Sequence, residues 1–177
     1  MTLPVEIRPA LLSDIPEIAQ VHLASSKIAY RDIIDPLLLD GLSSAGRVAL
    51  WEGRFARIGP AGRLWVQCVG SDVIGFALCD AADEEQASTS TCELKSLYLT
   101  PQRWDSGFGA SLIAHVVKEF KDHGFNSMIL WTIRQNSRAR SFYERIGYSC
   151  DGLTRITRRK ESGLQLEYEE IRYSKAL

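Results

Sequence analysis

The sequence has no apolar run that approaches the roughly 20 residues needed to span a bilayer. Residues 1–8 also lack the apolar centre and the small-residue cleavage site of a secretory signal. Basic and acidic side chains nearly balance, at 21 and 22, so the net charge of −1 gives no general attraction for nucleic acid or for an anionic membrane. We therefore expect a cytoplasmic protein that uses neither as a partner.

Paired metal-ligand spacings are also missing. The four cysteines, Cys68, Cys79, Cys92 and Cys150, are far apart, with no C-x-x-C spacing. Three of them lie in runs typical of strands. Buried, reduced thiols are the favoured interpretation. His22, His115 and His123 show no mutual spacing for a metal or a catalytic triad, so we interpret them as structural. The sequence predicts no metal site.

A length of 177 residues suits one domain, and no linker, repeat or low-complexity tract divides residues 1–177. Patterning predicts strands at 5–8, 63–69, 73–78, 92–99, 128–133, 148–157 and 164–173. Helices are predicted from Ser13-Asp14, from Asp35-Pro36 with interruptions near Gly41 and Gly46, over 107–123 and over 136–146. Residues 83–91 are predicted to form a surface loop. This order implies an α/β (α+β) domain with one mixed sheet and helices on both faces.

A glycine pair stands where a predicted strand and loop lead into a helix, at Gly107-Phe108-Gly109-Ala110. Glycines let a backbone approach a ligand closely, and the N–H groups at a helix start favour a pyrophosphate. A tight strand-to-helix turn without a ligand explains the pair equally well. A dinucleotide fingerprint is excluded because position 112 is Leu, and a Walker loop is excluded because no Gly-Lys-Ser/Thr follows.

Two sequence blocks resemble the GNAT superfamily of N-acetyltransferases. The first block runs from Glu93 to Ala110 and reads ELKSLYLTPQRWDSGFGA; the second runs from Asn136 to Tyr148 and reads NSRARSFYERIGY. The second block is similar to the family's N-x-x-A-x-x-F-Y-x-x-x-G-F/Y string, which is far more specific than G-x-G. The resemblance implies a single GNAT-like domain with a mostly antiparallel sheet of about seven strands.

The resemblance also implies acetyl-CoA as the acyl donor. The backbone of Leu97, Tyr98 and Leu99 would pair with the pantetheine arm as an added strand does. The turn made by Asp105, Ser106, Gly107, Phe108, Gly109 and Ala110 would hold the pyrophosphate. Asn136 is similar to the family's cofactor-contacting asparagine, and it is equally well placed as a helix N-cap. Trp104 departs from the family, which usually has Gln or Arg there.

The same resemblance implies that Tyr143 and Glu93 are the catalytic residues. Tyr143 would donate a proton to the departing CoA thiolate, although a phenol near pKa 10 protonates a thiolate near 8.5 uphill by about 2 kcal/mol. Its alternative role is that of a core aromatic on one helical stripe. Glu93 would be the base for the amine, and its alternatives are a surface ion pair with Lys95 or replacement by a water chain. On a single strand, Glu93 is expected to share a face with Lys95, Leu97 and Leu99.

The resemblance implies an enzyme that acetylates a primary amine, either a small molecule or a peptide N-terminus, by direct attack. The alternative is a non-catalytic acyl-CoA-binding or sensory module on the same fold, and a homodimer stays open. Residues 24–47 and the last hairpin would shape the acceptor site, where the sequence gives no interpretable code. A basic run in that hairpin favours a solvated surface over RNA contact: Arg155, Arg158, Arg159 and Lys160.

Overall fold

The computed structural model describes residues 3–83, 88–161 and 164–177. The described strands are β1 (Val5–Pro9), β2 (Arg63–Val69), β3 (Asp72–Ala81), β4 (Thr91–Leu99), β5 (Ser127–Ile133), β6 (Ser149–Glu161) and β7 (Leu164–Ala176). The described α-helices are α1 (Ile15–Ala29), α2 (Pro36–Asp40), α3 (Ser44–Phe55), α4 (Phe108–Asp122) and α5 (Ser137–Arg145). Short 3₁₀ turns precede α1 and follow β4. Residues 84–87 of the predicted surface loop lie outside the described ranges.

The strands form one seven-stranded sheet in the order β1-β2-β3-β4-β5-β7-β6. Neighbours pair antiparallel except β4 and β5, which pair parallel. The sheet separates two core clusters, and β2 contributes to both, because successive strand residues point to opposite faces. Trp65 packs with α4 and α5, whereas Leu64 and Val66 pack with α1 and α3. The predicted mixed sheet with helices on both faces is confirmed.

The helix boundaries differ from the sequence prediction at one glycine. Gly41 ends α2, as expected, but Gly46 lies inside the first turn of α3. The hydroxyl of Ser43 accepts a hydrogen bond from the Gly46 N–H at 3.1 Å, which caps the helix and satisfies a donor that has no partner within the helix. Gly46 therefore does not interrupt α3.

The final hairpin is longer than predicted, since β6 runs to Glu161 and β7 runs to Ala176. Ion pairs cross between its two strands.

Two of the basic hairpin residues have carboxylate partners across the strands. Arg155 contacts Glu170 at 2.7 Å and Arg158 contacts Glu167 at 2.6 Å. The side chain of Arg159 lies outside the described part of the structure, and Lys160 is exposed. Arg155 and Arg158 therefore form ion pairs within the hairpin, where the sequence predicted a solvated basic run.

The α1–α3 pair is fixed against the sheet by a buried hydrogen bond. The indole N–H of Trp51 donates to Nδ1 of His22 at 2.9 Å, and both side chains are buried. Phe76 of β3 lies edge-on to both rings, with its centroid 4.7 Å from that of Trp51. At the C-terminal end of α1, the hydroxyls of Tyr30 and Tyr98 lie 3.4 Å apart. These contacts align α1 along the centre of the sheet.

A β-bulge in β4 changes which residues share a face. Leu78 pairs with Ser96 and Cys79 pairs with Leu94, so Lys95 is an extra residue in the ladder. Leu94 and Leu97 consequently pack in the same core cluster, the one beneath α4 and α5, although they are three residues apart.

The expectation that Glu93 shares a face with Leu97 was therefore wrong. Cys92 and Leu94, on either side of Glu93, both belong to the cluster beneath α4 and α5. Glu93 consequently points to the opposite face, the one covered by α1 and α3. Tyr98 points to that face as well, because it packs against the cluster of α1 and α3.

Gly75 sets how closely β3 approaches the end of β4. A Cβ at this position would lie 2.9 Å from Cγ of Leu99 and 3.0 Å from the backbone oxygen of Tyr98. We expect Gly75→Ala to lower the free energy of unfolding by about 1–3 kcal/mol, because the strand backbone must move. Urea denaturation measures the change.

Gly53→Ala is the matched control, since its Cβ would meet only the flexible end of Arg57, at 3.3 Å. We expect that variant to be as stable as the original or slightly more stable, because alanine favours a helix by about 0.5–1 kcal/mol over glycine. If Gly75→Ala left the free energy of unfolding unchanged, β4 would be able to move away from the added Cβ without loss of stability.

Candidate active site

The site begins where β4 and β5 separate. The two strands pair only at residues 91–93 and 127–129, and beyond these positions each continues to its end without pairing with the other. β3 covers the other edge of β4 along its length. Among the described residues, the edge of β4 that faces β5 therefore has no ladder partner over 94–99. An edge of this kind offers backbone groups to an extended, amide-bearing ligand.

A cavity of about 800 Å³ fills the gap between the two strands. It extends from the turn before α4, past β4 and β5, to the ends of α1 and α2. Nine of the twelve sequence-predicted residues line it: Leu97, Tyr98, Leu99, Asp105, Gly107, Gly109, Ala110, Asn136 and Tyr143. Ser106, Phe108 and Glu93 are the three that do not line it. The volume falls in the range that small-molecule sites occupy.

Two left-handed residues shape the turn before α4. Asp105 has φ of 57° and Gly107 has φ of 85°. A Cβ on Gly107 would meet nothing within 4 Å, so its conformation, and not crowding, favours glycine there. Gly109 is different, because a Cβ would lie 3.3 Å from the ring of Phe142. The second glycine thus lets α4 approach α5, and the first lets the chain turn into the helix.

Trp104 is held at the mouth of the cavity by neighbours on both sides. Its indole N–H donates to the backbone oxygen of Leu99 at 2.9 Å. The guanidinium of Arg138, from the first turn of α5, lies 4.5 Å from the centroid of a Trp104 ring and forms an ion pair with Asp105. Because Trp104 and Arg138 both line the cavity, a fixed cation stands beside the glycine turn. Arg138 is not among the site residues predicted from the sequence.

Asn136 is an N-cap and also lines the cavity. Its side-chain oxygen accepts a hydrogen bond from the Ala139 N–H at 3.1 Å, and the residue is buried. The cap holds the start of α5 against the end of β5, which places Arg138 and Tyr143 on the cavity side.

Tyr143 is both a core aromatic and a cavity residue. It is buried, and its ring contacts Phe142, Tyr148 and Tyr173 at centroid distances of 5.4–6.3 Å. Burial raises the pKa of the Tyr143 hydroxyl well above its ordinary value, and the nearby Tyr98 adds to this shift. The hydroxyl is therefore protonated at neutral pH. It can donate a hydrogen bond to a ligand anion, but it gives up its proton less readily than an ordinary phenol.

Glu93 lies in a second, smaller cavity of about 320 Å³ beside the main one. Its carboxylate is 3.6 Å from the ammonium of Lys95, and its side chain is 13% exposed. Glu170 lines both cavities, is buried, and accepts hydrogen bonds on Oε2 from Arg155 at 2.7 Å and from Thr157 at 2.6 Å. The sequence signal for Glu170 is a carboxylate beside the apolar Ile171 in the last strand, in a hairpin that was predicted to be solvated.

His22 also lines the main cavity, and its hydrogen bond with Trp51 limits what it can do. An indole nitrogen only donates, so Nδ1 of His22 must accept, and a neutral ring then carries its proton on Nε2. Neither nitrogen is free to take a proton from a ligand while that bond holds. The described residues contain no group of His, Cys, Asp and Glu side chains arranged to hold a metal ion.

Comparison with known proteins agrees with this geometry. Residues 31–148 match the model of the Acetyltransferase (GNAT) family. The chain belongs to the GNAT acetyltransferase family. It is 33% identical over 132 residues to the uncharacterized N-acetyltransferase YuaI of Bacillus subtilis, covering 75% of this chain and 73% of that protein. It is 28% identical over 153 residues to the probable N-acetyltransferase Rv2775 of Mycobacterium tuberculosis, covering 85% and 83%.

A solved structure shows the same fold in a distant GNAT protein. The PaiA N-acetyltransferase of Thermoplasma acidophilum, solved in complex with coenzyme A, superposes with a TM-score of 0.74 at 20% identity, over 99% of this chain and all of that one. Family membership makes this GNAT chain an acyltransferase. Within the described residues, no helix is both long and apolar enough to cross a membrane.

Proposed function

We propose that this chain transfers an acetyl group from acetyl-CoA to a primary amine, on a small molecule or a peptide N-terminus, by direct attack. The observation that carries the proposal is the separation of β4 and β5 beside the glycine turn, with Tyr143 lining the cavity between them. A module that only bound acyl-CoA would need the open strand edge and the turn, but it would have no use for a protonated hydroxyl at the reacting end.

The cavity suits acetyl-CoA along its length. The open edge of β4 at Leu97, Tyr98 and Leu99 would hydrogen-bond the amides of the pantetheine arm. The turn from Asp105 to Ala110 would hold the pyrophosphate, with Asp105, Gly107, Gly109 and Ala110 at the cavity surface. Asn136 would contact the cofactor from the cavity wall. Its side-chain oxygen would still accept the hydrogen bond from Ala139 that caps α5.

Arg138 supplies the cationic side chain that Trp104 cannot. The indole and Asp105 hold the guanidinium in place at the cavity mouth. A guanidinium fixed in this way loses little freedom when it binds a phosphate oxygen. We therefore assign Arg138 as a ligand of the cofactor phosphates, on a different element from the family's usual Gln or Arg.

Arg138→Gln should raise the Kd for coenzyme A about tenfold or more, since a hydrogen bond to a charged group is lost. Isothermal titration calorimetry measures the affinity, and dephospho-coenzyme A as a second titrant shows which phosphate is involved. Arg134→Gln is the matched control, because Arg134 pairs with Glu169 at 2.9 Å and does not line the cavity. Equal affinities for Arg138→Gln and the original protein would remove Arg138 from the cofactor site.

When bound, acetyl-CoA would supply a thioester: the amine nitrogen would form a C–N bond to the carbonyl carbon, the C–S bond would break, and CoA would leave as the thiolate. The proton that the nitrogen loses on becoming an amide would pass through water to that thiolate. The amine must first be neutral, which costs an alkylammonium about 4–5 kcal/mol at pH 7. Glu93, in the side cavity, would accept that proton through water. Glu170, which lines both cavities, is the alternative carboxylate.

If Glu93 is the base, Glu93→Gln should depress turnover most below the pKa of the amine and recover part of it at high pH, where the amine is neutral without help. Glu170→Gln is tested in parallel, and the variant with the altered pH profile identifies the carboxylate that acts. Rates of thiol release across pH measure both. If both variants kept the pH profile of the original protein, neither carboxylate would be the base, and the amine would lose its proton to bulk water.

Tyr143 would stabilise the departing thiolate by hydrogen bonding. Because burial raises the pKa of its hydroxyl, full proton transfer to a thiolate is less favourable than for an ordinary tyrosine. A short hydrogen bond in a site shielded from water still lowers the energy of developing negative charge on sulfur.

Tyr143→Phe keeps the ring and deletes only the hydroxyl. We expect the melting temperature and the affinity for acetyl-CoA to change little, and turnover to fall about ten- to a thousandfold. Tyr148→Phe is the control, because its hydroxyl contacts Met128 at 2.9 Å and lies away from the cavity. Turnover within about twofold of the original would make Tyr143 a core aromatic only, and no turnover by any variant would favour the non-catalytic binder.

A further inference from the structure

The main cavity has a largely aliphatic wall where α1 ends and α2 lies, called here the α1–α2 end. Five apolar side chains line it: Ala29, Ile34, Leu38, Leu39 and Leu42. The three leucines keep only 7–8% of their surface exposed, so they are packed in place and also border the cavity. Ser25 and Ser26 add small neutral hydroxyls. A charged group bound against this wall would lose most of its hydration with only neutral hydroxyls as partners, which is costly.

Three positive side chains of the lining come from α3 and from the bulge of β4, and each has a partner within the protein. Lys95 pairs with Glu93 at 3.6 Å. The guanidinium of Arg54 lies 4.9 Å from the centroid of a Trp51 ring, and Arg47 also interacts within the protein. These charges therefore do not require an acidic group on the acceptor.

Two tyrosines of the lining bring their hydroxyls together, one from the end of α1 and one from the open edge of β4. The hydroxyl oxygens of Tyr30 and Tyr98 lie 3.4 Å apart, and both residues line the cavity. This distance exceeds the roughly 2.5–3.0 Å of an ordinary O–H···O hydrogen bond, so the contact is weak. Two hydroxyls can share only one of their two hydrogens, and the remaining hydrogen and most of the lone pairs can bond to a ligand.

Packing fixes the ring of Tyr98. It stacks on Phe76 with 5.4 Å between centroids, and its centroid is 4.4 Å from that of His22. Burial, and then the nearby Tyr98, raise the pKa of the Tyr143 hydroxyl. Burial, followed by Tyr98 and Tyr143, also raises the pKa of Tyr30 well above its ordinary value, so Tyr30 is uncharged at neutral pH. The hydroxyl pair is thus held near Tyr143, the residue proposed to stabilise the departing thiolate.

We propose that the acceptor is a small primary amine with an uncharged, apolar body, that the hydroxyls of Tyr30 and Tyr98 bind its nitrogen, and that the α1–α2 end holds its body. This rests on the acetyltransferase function proposed above and narrows its substrate. The amine N–H groups would donate to the hydroxyl oxygens, which leaves the nitrogen lone pair for the carbonyl carbon of acetyl-CoA. Tyr98 belongs to the segment of β4 proposed to hold the pantetheine arm, so a nitrogen bound to its hydroxyl would lie beside the cofactor.

Matched acceptors test the body of the amine. Pentylamine, putrescine and 4-aminobutanoate have chains of nearly equal length that end in a methyl, an ammonium and a carboxylate group, and trialanine amide represents a peptide N-terminus. Thiol release from acetyl-CoA gives kcat/KM for each. We expect pentylamine to exceed the other three by at least about tenfold, because only its body can be buried without desolvating polar groups. From propylamine to pentylamine, each methylene should raise kcat/KM about fourfold, the factor for burying one CH₂ group.

Tyr30→Phe tests the amine-binding hydroxyls. It should lower kcat/KM about three- to tenfold for every amine, mainly through KM, because one hydrogen bond is lost. The increment per methylene and the affinity for acetyl-CoA should change little. Tyr148→Phe is the matched control, since its hydroxyl contacts Met128 and the residue does not line the cavity. A Tyr30→Phe protein with a lower melting temperature but unchanged kcat/KM would assign the hydroxyl to stability alone and overturn its role.

Leu39→Ala tests the apolar wall. It should lower the ratio of kcat/KM for pentylamine to that for propylamine at least about threefold, whereas Leu39→Met, which keeps the wall apolar, should stay within about twofold. Leu37→Ala is the matched control, because Leu37 lies in the same helix, is 71% exposed and does not line the cavity. Melting temperatures show whether each variant folds. Ile34→Val, a milder truncation of the same wall, should lower the ratio as well and replaces Leu39→Ala if that protein does not fold.

A binding arm covers amines that turn over slowly. N-pentylacetamide and N-(4-aminobutyl)acetamide, the expected products from pentylamine and putrescine, are titrated into protein saturated with coenzyme A. The first should bind at least about tenfold more tightly. Turnover or binding that favours putrescine, 4-aminobutanoate or the peptide would overturn the proposal, as would equal rates along the alkyl series or no binding of either product at millimolar concentration. Each of these results leaves the acetyltransferase function in place, which fails separately if acetyl-CoA itself does not bind.

Discussion

The separation of β4 from β5 is the constraint on which the rest of the site depends. Parallel pairing stops after Glu93 and Ile129, yet each strand stays in the sheet because β3 and β7 hold its other edge. The gap therefore costs the fold a few ladder bonds and leaves a row of backbone groups facing a cavity. Without that gap, the glycine turn and α5 would border a closed sheet.

Buried contacts on both faces hold the gap open. On one face, Asn136 caps α5 and aromatic packing fixes Tyr143 at the cavity wall. On the other face, the hydrogen bond between Trp51 and His22 joins α3 to α1. Arg47 and Arg54 of α3 line the same cavity. The end of the cavity at the glycine turn and the end at α3 are thus built by separate layers of the domain.

Much of the fold could be predicted from patterning, since residues 63–69 form a short, mainly apolar run and α4 carries an apolar stripe at helical spacing. Prediction failed where a local interaction overrode the usual rule. Gly46 was expected to break a helix, but the Ser43 cap keeps it inside α3. Glu93 was expected on the face of Leu97, but the bulge at Lys95 reverses the alternation. Neither the cap nor the bulge changes the hydrophobic pattern from which the prediction was made.

The sequence by itself determined the family, the glycine turn, the cap at Asn136 and the place of Tyr143, because these are short-range features whose residues are neighbours in the chain. Only the tertiary structure decided which distant side chains share the cavity. Arg138 of α5 meets Trp104 and Asp105 of the turn before α4, Glu170 lines both cavities from the last strand, and Arg47 lines the main cavity from α3. Such contacts join residues tens of positions apart, and spacing along a chain carries no information about them.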